Sequence, residues 1–418
     1  MLKSLSARVV VALVLGLTAG AAIQNSDAAL WRQGAGIVEA FGALWLNALR
    51  MTVVPLVFSL LVTGIASVAD AAATGRLATR AIVLFTVLIF SAAIFSTVAV
   101  QALLTAWPVD PAQARAFIAG AAPTDVSTIT PPTFSQWLTS LAPANPIKAA
   151  AEDQILPLVV FACFFGFAAT RLAPEQRAPL VAFFRAVESA MIVIVRWVLV
   201  VAPIGVFALS LGVGTRAGFG AAGVLVHYVA VVSLLTIGIT VVAYLLAVIW
   251  GRVPFYTFAR ATAPAGVVAF STQSSLATLP AMLECARTGL GIPERITDLV
   301  LPLAVAVFRF TSPVANLAVA YFIAHLYGFQ PSTLQMIGAI FAAFAASVAA
   351  VGLPGQVSFF ISMAPICIAL GVPLDLLGIL LAVEVVPDIF RTVGNVMGDL
   401  AATTILRRQT DKVAEAPL

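Results

Sequence analysis

AFSTQSSLATLPAM at residues 269–282 and ASVAAVGLPGQVSFFIS at residues 346–362 each interrupt a long apolar segment with small, hydroxyl and proline residues. Irregular backbone at membrane depth is tolerated only where it is buried in protein or lines a wet cavity. A Gly/Pro kink in an ordinary helix would account for either stretch alone. Two such stretches in one chain indicate a pair of re-entrant helical hairpins, a pattern typical of the binding site of a transporter.

The rest of the chain has the composition of a membrane protein. Of its 418 residues, 61% are hydrophobic and 10% are charged, whereas soluble domains average about 45–50% apolar and about 25% charged. Runs long enough to cross a bilayer, about 17 residues or more, lie near residues 7–24, 41–69, 79–106, 154–171, 187–212, 223–250, 298–327 and 376–406. We therefore predict an all-α polytopic membrane protein with eight transmembrane helices plus the two hairpins. The first run could pass for a signal peptide, but the spanning runs after it favour a retained helix.

Basic residues predict how these helices are oriented. They cluster beside the ends of alternate spans, at Lys3, Arg8, Arg76, Arg80, Arg171, Arg177, Arg185, Arg252, Arg260, Arg407, Arg408 and Lys412. Because Lys and Arg concentrate on the cytoplasmic side, we expect a multi-pass protein of the cell inner membrane with both termini in the cytoplasm. The same count opens the first hairpin towards the cytoplasm and the second towards the outside.

A charged stretch, EVVPDIFRTVGNVMGD at residues 384–399, lies within the apolar last span. On a helix its polar residues fall within about 80° of one another; they are Glu384, Asp388, Arg391, Asn395 and Asp399. Ionisable groups at membrane depth are costly, and they usually face a protein interior or a wet cavity where they serve function. The stripe therefore indicates a binding site, and the alternative is a structural ion pair that holds two helices together.

Other chemistry-bearing patterns are missing from the sequence. Cys163, Cys285 and Cys367 are far apart without a CxxC motif, and His227 and His325 are single, so neither a metal site nor a disulfide framework is indicated. The sequence has no phosphate loop, nucleophile elbow or metal-ligand spacing. We therefore expect no enzyme activity, no cofactor, no bound metal and no nucleic-acid partner.

Six segments, taken in order, carry a family resemblance. They are RMTVVPLVFSLLVTGI (50–65), ILPLVVFACFFGFA (155–168), APIGVFAL (202–209), SSLATLP (274–280), VGLPGQ (351–356) and DIFRTVGNVMGD (388–399). Along nearly its whole length the chain resembles the dicarboxylate/amino acid:cation symporter family, the glutamate transporter homologues. The resemblance implies a homotrimer in the lipid membrane in which a fixed scaffold supports a core that slides as an elevator.

The resemblance also divides the chain. Scaffold helices 1 and 2 would occupy residues 1–72, and core helix 3 would occupy residues 73–106. The outer loop with scaffold helices 4 and 5 would follow at residues 107–218. The remaining transport core would occupy residues 219–408, and a cytoplasmic tail residues 409–418. The transport core would comprise helix 3, helices 6 to 8 and both hairpins.

The resemblance implies a substrate site as well. Its residues would be Ser274, Ser275, Ser312, Leu353, Gly355, Val357, Asp388, Arg391, Thr392 and Asn395. Asp388 would receive the α-amino group of an amino acid, and Arg391 its side-chain carboxylate. Thr392 and Asn395 would help to hold the amine and the α-carboxylate, and Ser275 would bind the α-carboxylate. The backbone from Leu353 to Val357 would close over the substrate as an outer gate.

The chemistry of this pair favours an acidic amino acid. The planar fork of an arginine matches a carboxylate and keeps its charge when it is buried, and Asp388, one helical turn before Arg391, is a partner for an ammonium. A zwitterion with one extra carboxylate, aspartate or glutamate, fits both groups. A C4-dicarboxylate remains the alternative substrate. Glu384 faces Arg391 and is expected to hold its guanidinium in the empty site.

The chain departs from the family where sodium would bind. In register with the family's Asn-Met-Asp-Gly-Thr signature it has Phe308, Arg309, Phe310, Thr311 and Ser312. Further positions that supply oxygen ligands in the family are Phe85, Leu88, Ile89, Ala306 and Ala350. Hard cations need several oxygen ligands, and of the family's ligands only Asn395 and Asp399 remain.

Arg309 is expected to replace the missing cations by pairing with Asp399, because an unpaired buried carboxylate is costly; the alternative is an arginine that snorkels from a helix end. We therefore expect a sodium-independent carrier. It would be proton-coupled, with Glu384, Asp388 or Asp399 titrating, or an uncoupled facilitator or anion channel. A membrane sensor is a further alternative.

Overall fold

The computed structural model of the protein describes residues 5–24, 29–73, 75–121, 142–152, 155–218, 220–349 and 355–414. Regular structure in these residues is helical, without strands. The first half contains α1 (Leu5–Gln24), α2 (Ala29–Arg50), α3 (Val53–Ala73), α4 (Arg76–Ala106), α5 (Pro111–Ala121), α6 (Pro146–Ala151), α7 (Ile155–Ala169), α8 (Pro174–Val200) and α9 (Ala202–Ala217). The second half contains α10 (Gly220–Ile249), α11 (Phe255–Thr272), α12 (Ser275–Glu284), a π-helical turn (Cys285–Gly289), α13 (Glu294–Val307), α14 (Ser312–Leu326), α15 (Thr333–Ala349), α16 (Gly355–Leu370), α17 (Leu377–Val383) and α18 (Val385–Ala414).

Several helical segments are long and apolar enough to cross a membrane. Among the described residues they are Gln33–Ser67, Arg76–Ala106, Pro174–Val200, Gly220–Ile249 and Glu294–Leu326. Shorter apolar helices cover Arg8–Gln24, Pro157–Ala169, Ala202–Arg216 and Thr333–Val348. The all-α prediction is confirmed for the described residues, and several of their helices are apolar enough for a multi-pass membrane protein, whereas the count of eight spans remains a prediction.

Four of the predicted spans are interrupted rather than continuous. Breaks separate α2 from α3, α8 from α9, α13 from α14 and α17 from α18. In each case a proline lies in the first turn after the break; these are Pro55, Pro203, Pro313 and Pro387. Proline lacks an N–H and has a backbone angle suited to a first helical turn, so it disfavours a helix that runs through it and favours one that starts beside it. These prolines therefore account for the four breaks.

Two helical hairpins occupy the predicted interruptions. In the first hairpin α11 and α12 are joined at Gln273, whose φ of 51° is left-handed, and at Ser274, whose Oγ accepts a bond of 3.2 Å from the Ala277 N–H. This side-chain cap starts the second arm. The second hairpin consists of α15 packed against α16, and residues 350–354 between them lie outside the described residues.

Two helices form the centre of the hairpin-containing half. α14 is buried along almost its whole length and contacts α4, α10 and both arms of the second hairpin. The Ser96 hydroxyl of α4 donates to the Val314 carbonyl of α14 at 2.8 Å. α18 packs along α10 and along the first hairpin. The charged stripe of α18 therefore lies inside protein.

The other helices pack among themselves. α1 lies along α9 so closely that a Cβ on Gly214 would be 2.5 Å from the Leu17 carbonyl oxygen, which explains the glycine at that contact. The Trp45 indole of α2 donates to the Val198 carbonyl at 2.9 Å, which satisfies a backbone group near the end of α8. α3 packs against α7 and α8.

Candidate functional site

The non-helical backbone at residues 308–311 is stabilised by α18. Helical hydrogen bonding ends where the Phe308 N–H donates to the Ala304 carbonyl at 2.7 Å. The Thr311 N–H then donates to Asn395 Oδ1 at 2.9 Å, and the Thr311 hydroxyl donates to the Arg391 carbonyl at 2.7 Å. Buried backbone groups must find partners outside a helix, and Asn395 supplies one.

This contact limits what Asn395 can offer a ligand. A backbone N–H can only donate, so it faces the amide oxygen of Asn395 and leaves the amide NH₂ directed elsewhere. An NH₂ group can donate to a carboxylate but cannot accept from an ammonium. The geometry therefore fits a contact of the Asn395 NH₂ with a carboxylate, and it leaves the amide oxygen one further lone pair.

Arg391 lies at the centre of a buried ionic cluster. Arg391 is 6% exposed, and Glu384 is 2% exposed. Arg391 Nη2 forms an ion pair with Glu384 Oε1, and Arg391 Nη1 lies 3.7 Å from Asp388 Oδ1. The predicted contact between Glu384 and Arg391 is confirmed.

Tyr228 of α10 is a member of this cluster that the sequence did not reveal. Its buried hydroxyl donates to Glu384 Oε2 at 2.6 Å. Buried tyrosines normally find a hydrogen-bond partner for their hydroxyl, and a tyrosine inside the apolar α10 was the only available signal. The partner itself, 156 residues away, could not be identified from spacing.

One nitrogen of the Arg391 guanidinium lacks an acceptor in the described part of the chain. Arg391 Nε is buried, and within the described residues it donates to no acceptor. Buried polar atoms are nearly always paired, and the guanidinium fork binds carboxylates through two parallel bonds. Together with Nη2, this Nε forms an edge on which a ligand carboxylate can bind.

The remaining predicted site residues differ in whether their polar groups are available to a ligand. The Asp388 side chain is 13% exposed, so it can meet an ammonium. The Thr392 hydroxyl donates to the Asp388 carbonyl at 2.9 Å, so its proton is already used. Ser274 caps α12, Ser275 begins the same helix, and Ser312 is buried at the start of α14.

The predicted outer gate is only partly described. Leu353 lies outside the described residues, while Gly355 and Val357 belong to the first turn of α16.

Phenylalanine rings occupy the positions at which the sequence lacks the family's oxygen ligands for sodium. Phe308 stacks on Phe85 with centroids 4.5 Å apart, and the Phe310 ring lies 5.7 Å from that of Phe308. A Cβ on Gly398 would be 2.9 Å from the Phe310 Cβ, so Phe310 packs directly on α18. The described residues contain no group of three His, Cys, Asp or Glu placed to hold a metal ion.

The expected pairing of Arg309 with Asp399 is not made by hydrogen bonds. Asp399 is 1% exposed, and neither carboxylate oxygen has a hydrogen-bond partner among the described residues. Arg309 lies near Asp399, Asp388 and Arg391 without a hydrogen bond to Asp399. The prediction of a direct pair was therefore wrong. Arg309 follows Phe308, whose φ of −106° and ψ of 87° are not helical, so the backbone here does not direct its side chain onto Asp399.

Comparison with known proteins supports a transport function. The chain is 28% identical to the proton/glutamate-aspartate symporter of Escherichia coli (strain K12), over 98% of this chain and 93% of that protein. It is 26% identical to the proton/sodium-glutamate symport protein of Bacillus caldotenax, over 96% and 93% of the two chains. It is also 29% identical to the neutral amino acid transporter B(0) of Oryctolagus cuniculus, over 97% of this chain and 80% of that protein.

A family model covers almost the entire sequence. The model of the sodium:dicarboxylate symporter family matches residues 5–409. This match confirms the resemblance found in the hairpin tips and the last helix, and it makes the protein a membrane transporter rather than an enzyme. The chain belongs to the sodium:dicarboxylate symporter family.

Proposed function

We propose that the protein is a secondary transporter that moves an acidic amino acid, aspartate or glutamate, across the inner membrane together with protons. The observation that carries this proposal is the buried Arg391, whose Nε has no acceptor among the described residues, one turn from a partly exposed Asp388. The first group suits a side-chain carboxylate and the second an ammonium. Similarity to a symporter named for glutamate and aspartate supports the same substrates.

Similarity by itself would not choose between acidic and neutral substrates. The neutral amino acid transporter is as similar to this chain as the glutamate-aspartate symporter, at 29% against 28% identity. A neutral amino acid offers only one carboxylate, and it would leave Arg391 Nε without an acceptor. The choice therefore rests on the charge of the site, and a C4-dicarboxylate is disfavoured because it has no ammonium for Asp388.

Other site residues complete the proposal. Ser274, Ser275 and Ser312 line the substrate from the first hairpin and α14, and the tip of the second hairpin closes over it from outside. The Asn395 amide NH₂ binds a substrate carboxylate. Thr392 positions Asp388 through the backbone bond already described.

We further propose that transport does not use sodium. Phe85, Phe308 and Phe310 pack together where oxygen ligands would be needed, and aromatic rings cannot chelate a hard cation. Arg309 supplies a permanent positive charge nearby. An uncoupled facilitator or an anion channel is the competing function, and it differs in being unable to concentrate its substrate.

Uptake into proteoliposomes tests the transport proposal. With the outside acidic relative to the inside, we expect labelled aspartate to accumulate above its equilibrium level, and a protonophore should abolish the accumulation. Sodium and voltage gradients should be imposed separately, with unlabelled succinate and serine as competitors that should be weak. Uptake that never exceeds equilibrium would identify a facilitator, and strong competition by succinate would favour a dicarboxylate carrier.

The proposed assembly is a homotrimer with both termini in the cytoplasm. Its scaffold (residues 1–72 and 107–218) is fixed, and its transport core (residues 73–106 and 219–408) moves as an elevator between opposed hairpins. In the apolar stretch of α8, 6% of the residues are buried within one chain. The same helix carries the exposed Arg196. A charge on an exposed spanning helix favours a protein or aqueous neighbour over lipid, which supports contact with another copy through the scaffold.

A cross-link between scaffold and core tests this assembly. A Cβ on Gly378 of α17 would lie 2.8 Å from Leu209 Cδ1 of α9, so cysteines at both positions, in a chain whose natural cysteines are replaced, can be bridged by mercury. We expect the mercury bridge to abolish uptake reversibly. In a separate measurement, native mass spectrometry should give the mass of three copies of the chain. The unbridged double variant is the control. A single-chain mass, or transport that survives bridging, would contradict the proposal.

A further inference from the structure

Glu384 divides its two carboxylate oxygens between two partners on different elements. Oε1 pairs with Arg391 of α18, and Oε2 accepts from the Tyr228 hydroxyl of α10 at 2.6 Å. Glu384 itself lies in the break between α17 and α18 and is 2% exposed. The Arg391 guanidinium is thus held by an internal carboxylate at the group that the proposed substrate needs.

The charge of the buried site argues that a substrate cannot bind alone. The ionisable side chains around Glu384 are Tyr228 and Arg391, with Asp388 next to Arg391 and Cys367 of α16 in the electrostatic field of Tyr228. Asp399 is also buried, and Arg309 is half-buried nearby. With every acid and arginine ionised, three negative charges face two positive charges. If the proposed function holds, an acidic amino acid adds a further net negative charge, which is costly to bury unless it is compensated.

Glu384 is the acid that loses its partner, Arg391, when the substrate binds. A substrate carboxylate that forms parallel bonds with Arg391 Nε and Nη2 competes with Glu384 for Nη2. Asp388 would gain the substrate ammonium and therefore keep its charge. Asp399 makes no hydrogen bond to Arg391 that could be displaced. Glu384 alone would be left buried with only a tyrosine hydroxyl as partner.

We propose that Glu384, positioned by Tyr228, is the binding site of the symported proton, and that it acts as an internal substitute for the substrate carboxylate on Arg391. When substrate binds, the ion pair between Glu384 and Arg391 breaks. A proton from solvent forms an O–H bond with Glu384, and the substrate carboxylate takes its place on Arg391. The Tyr228 hydroxyl continues to donate to Oε2 of the neutral acid. Loss of the proton after substrate release restores the ion pair.

Proton uptake during binding tests this inference on the full-length purified protein. In weakly buffered detergent solution with a pH indicator, the wild type should take up one proton for each aspartate bound. Its affinity should rise about tenfold for each unit by which the pH falls, over the range in which Glu384 is ionised in the empty site and protonated in the bound site.

The Glu384→Gln variant separates this role from a structural one. It should bind aspartate without proton uptake and with an affinity independent of pH. At alkaline pH it should bind more tightly than the wild type, because the competing carboxylate is gone. A merely structural Glu384 predicts weaker binding at every pH. Glu188→Gln is the matched control, since Glu188 is a scaffold carboxylate that accepts from the Thr63 hydroxyl at 2.8 Å; it should behave as the wild type.

Tyr228→Phe provides a second, milder test that does not depend on the stability of the first variant. Removing the hydroxyl takes a hydrogen bond from the ionised carboxylate, so Glu384 should bind its proton more readily. The midpoint of proton uptake should therefore move to higher pH by about one unit.

The outcomes distinguish the inference from the proposed function. A Glu384→Gln variant that still takes up one proton per aspartate, or a Tyr228→Phe midpoint that is unchanged, would overturn the inference. A wild type that binds aspartate without proton uptake would overturn it and leave the acidic substrate intact. A wild type that binds no acidic amino acid would overturn the proposed function, and the inference with it.

Discussion

Replacing Arg391 with cysteine should lower the affinity for aspartate and glutamate at least about a hundredfold, since removing one partner of a buried charge pair costs about 3–5 kcal/mol. Serine, which has no second carboxylate, should lose far less and can gain. Calorimetric titration of the three amino acids into wild type and variant measures the difference.

Two controls keep this experiment interpretable. Without Arg391, Glu384 and Asp388 lose the cation that both approach, so the double variant Arg391→Cys with Glu384→Gln restores the charge balance and should bind acidic substrates equally poorly. Arg216→Cys is the matched arginine control, because Arg216 pairs with Glu39 in the scaffold and should leave aspartate affinity unchanged. A wild type that prefers succinate or serine, or an Arg391→Cys variant that keeps its aspartate affinity, would contradict the assignment.

Aspartate binding by the wild type should be the same in sodium and in choline, whereas Arg309→Met should weaken it about tenfold in both salts. Arg309 is the nearby permanent cation in whose field Asp388 and Asp399 lie. Removing it leaves the buried acids with one arginine instead of two. Sodium should not rescue the variant, because Phe308 and Phe310 still occupy the space that oxygen ligands would need.

Binding titrations in the two salts decide this prediction. Arg260→Met, which removes an exposed arginine of the first hairpin, is the matched control and should retain wild-type binding in both. A wild-type affinity that increases tenfold or more with sodium, which is about 1.4 kcal/mol of coupling, would overturn the proposal that Arg309 and the phenylalanines replace the cation.

The sequence predicted the features that depend on local pattern. Both hairpins were found because small and hydroxyl residues interrupt apolar runs, and the contact of Glu384 with Arg391 followed from their spacing of seven residues on one helical face. The breaks beside Pro55, Pro203, Pro313 and Pro387 had a readable signal in the prolines themselves. A single hydropathy window averages over such a signal.

Other features of the site depend on tertiary structure. Tyr228 reaches Glu384 from a helix far away in sequence, so neither periodicity nor composition could connect them. Arg309 was expected to touch Asp399 because an unpaired buried carboxylate is costly, but that cost does not fix where a side chain points. In the non-helical backbone the direction of a side chain depends on the dihedral angles of one or two residues, and those angles are set by the bonds of Thr311 to α18.

The stack of Phe85 on Phe308 bears on how the core responds to the medium. An ion chelated between two helices holds them with a strength that depends on the concentration of that ion. Two stacked rings hold them by close packing, which is what joins helices at membrane depth. A carrier whose core is held together in this way keeps its shape in fresh water and in brine alike.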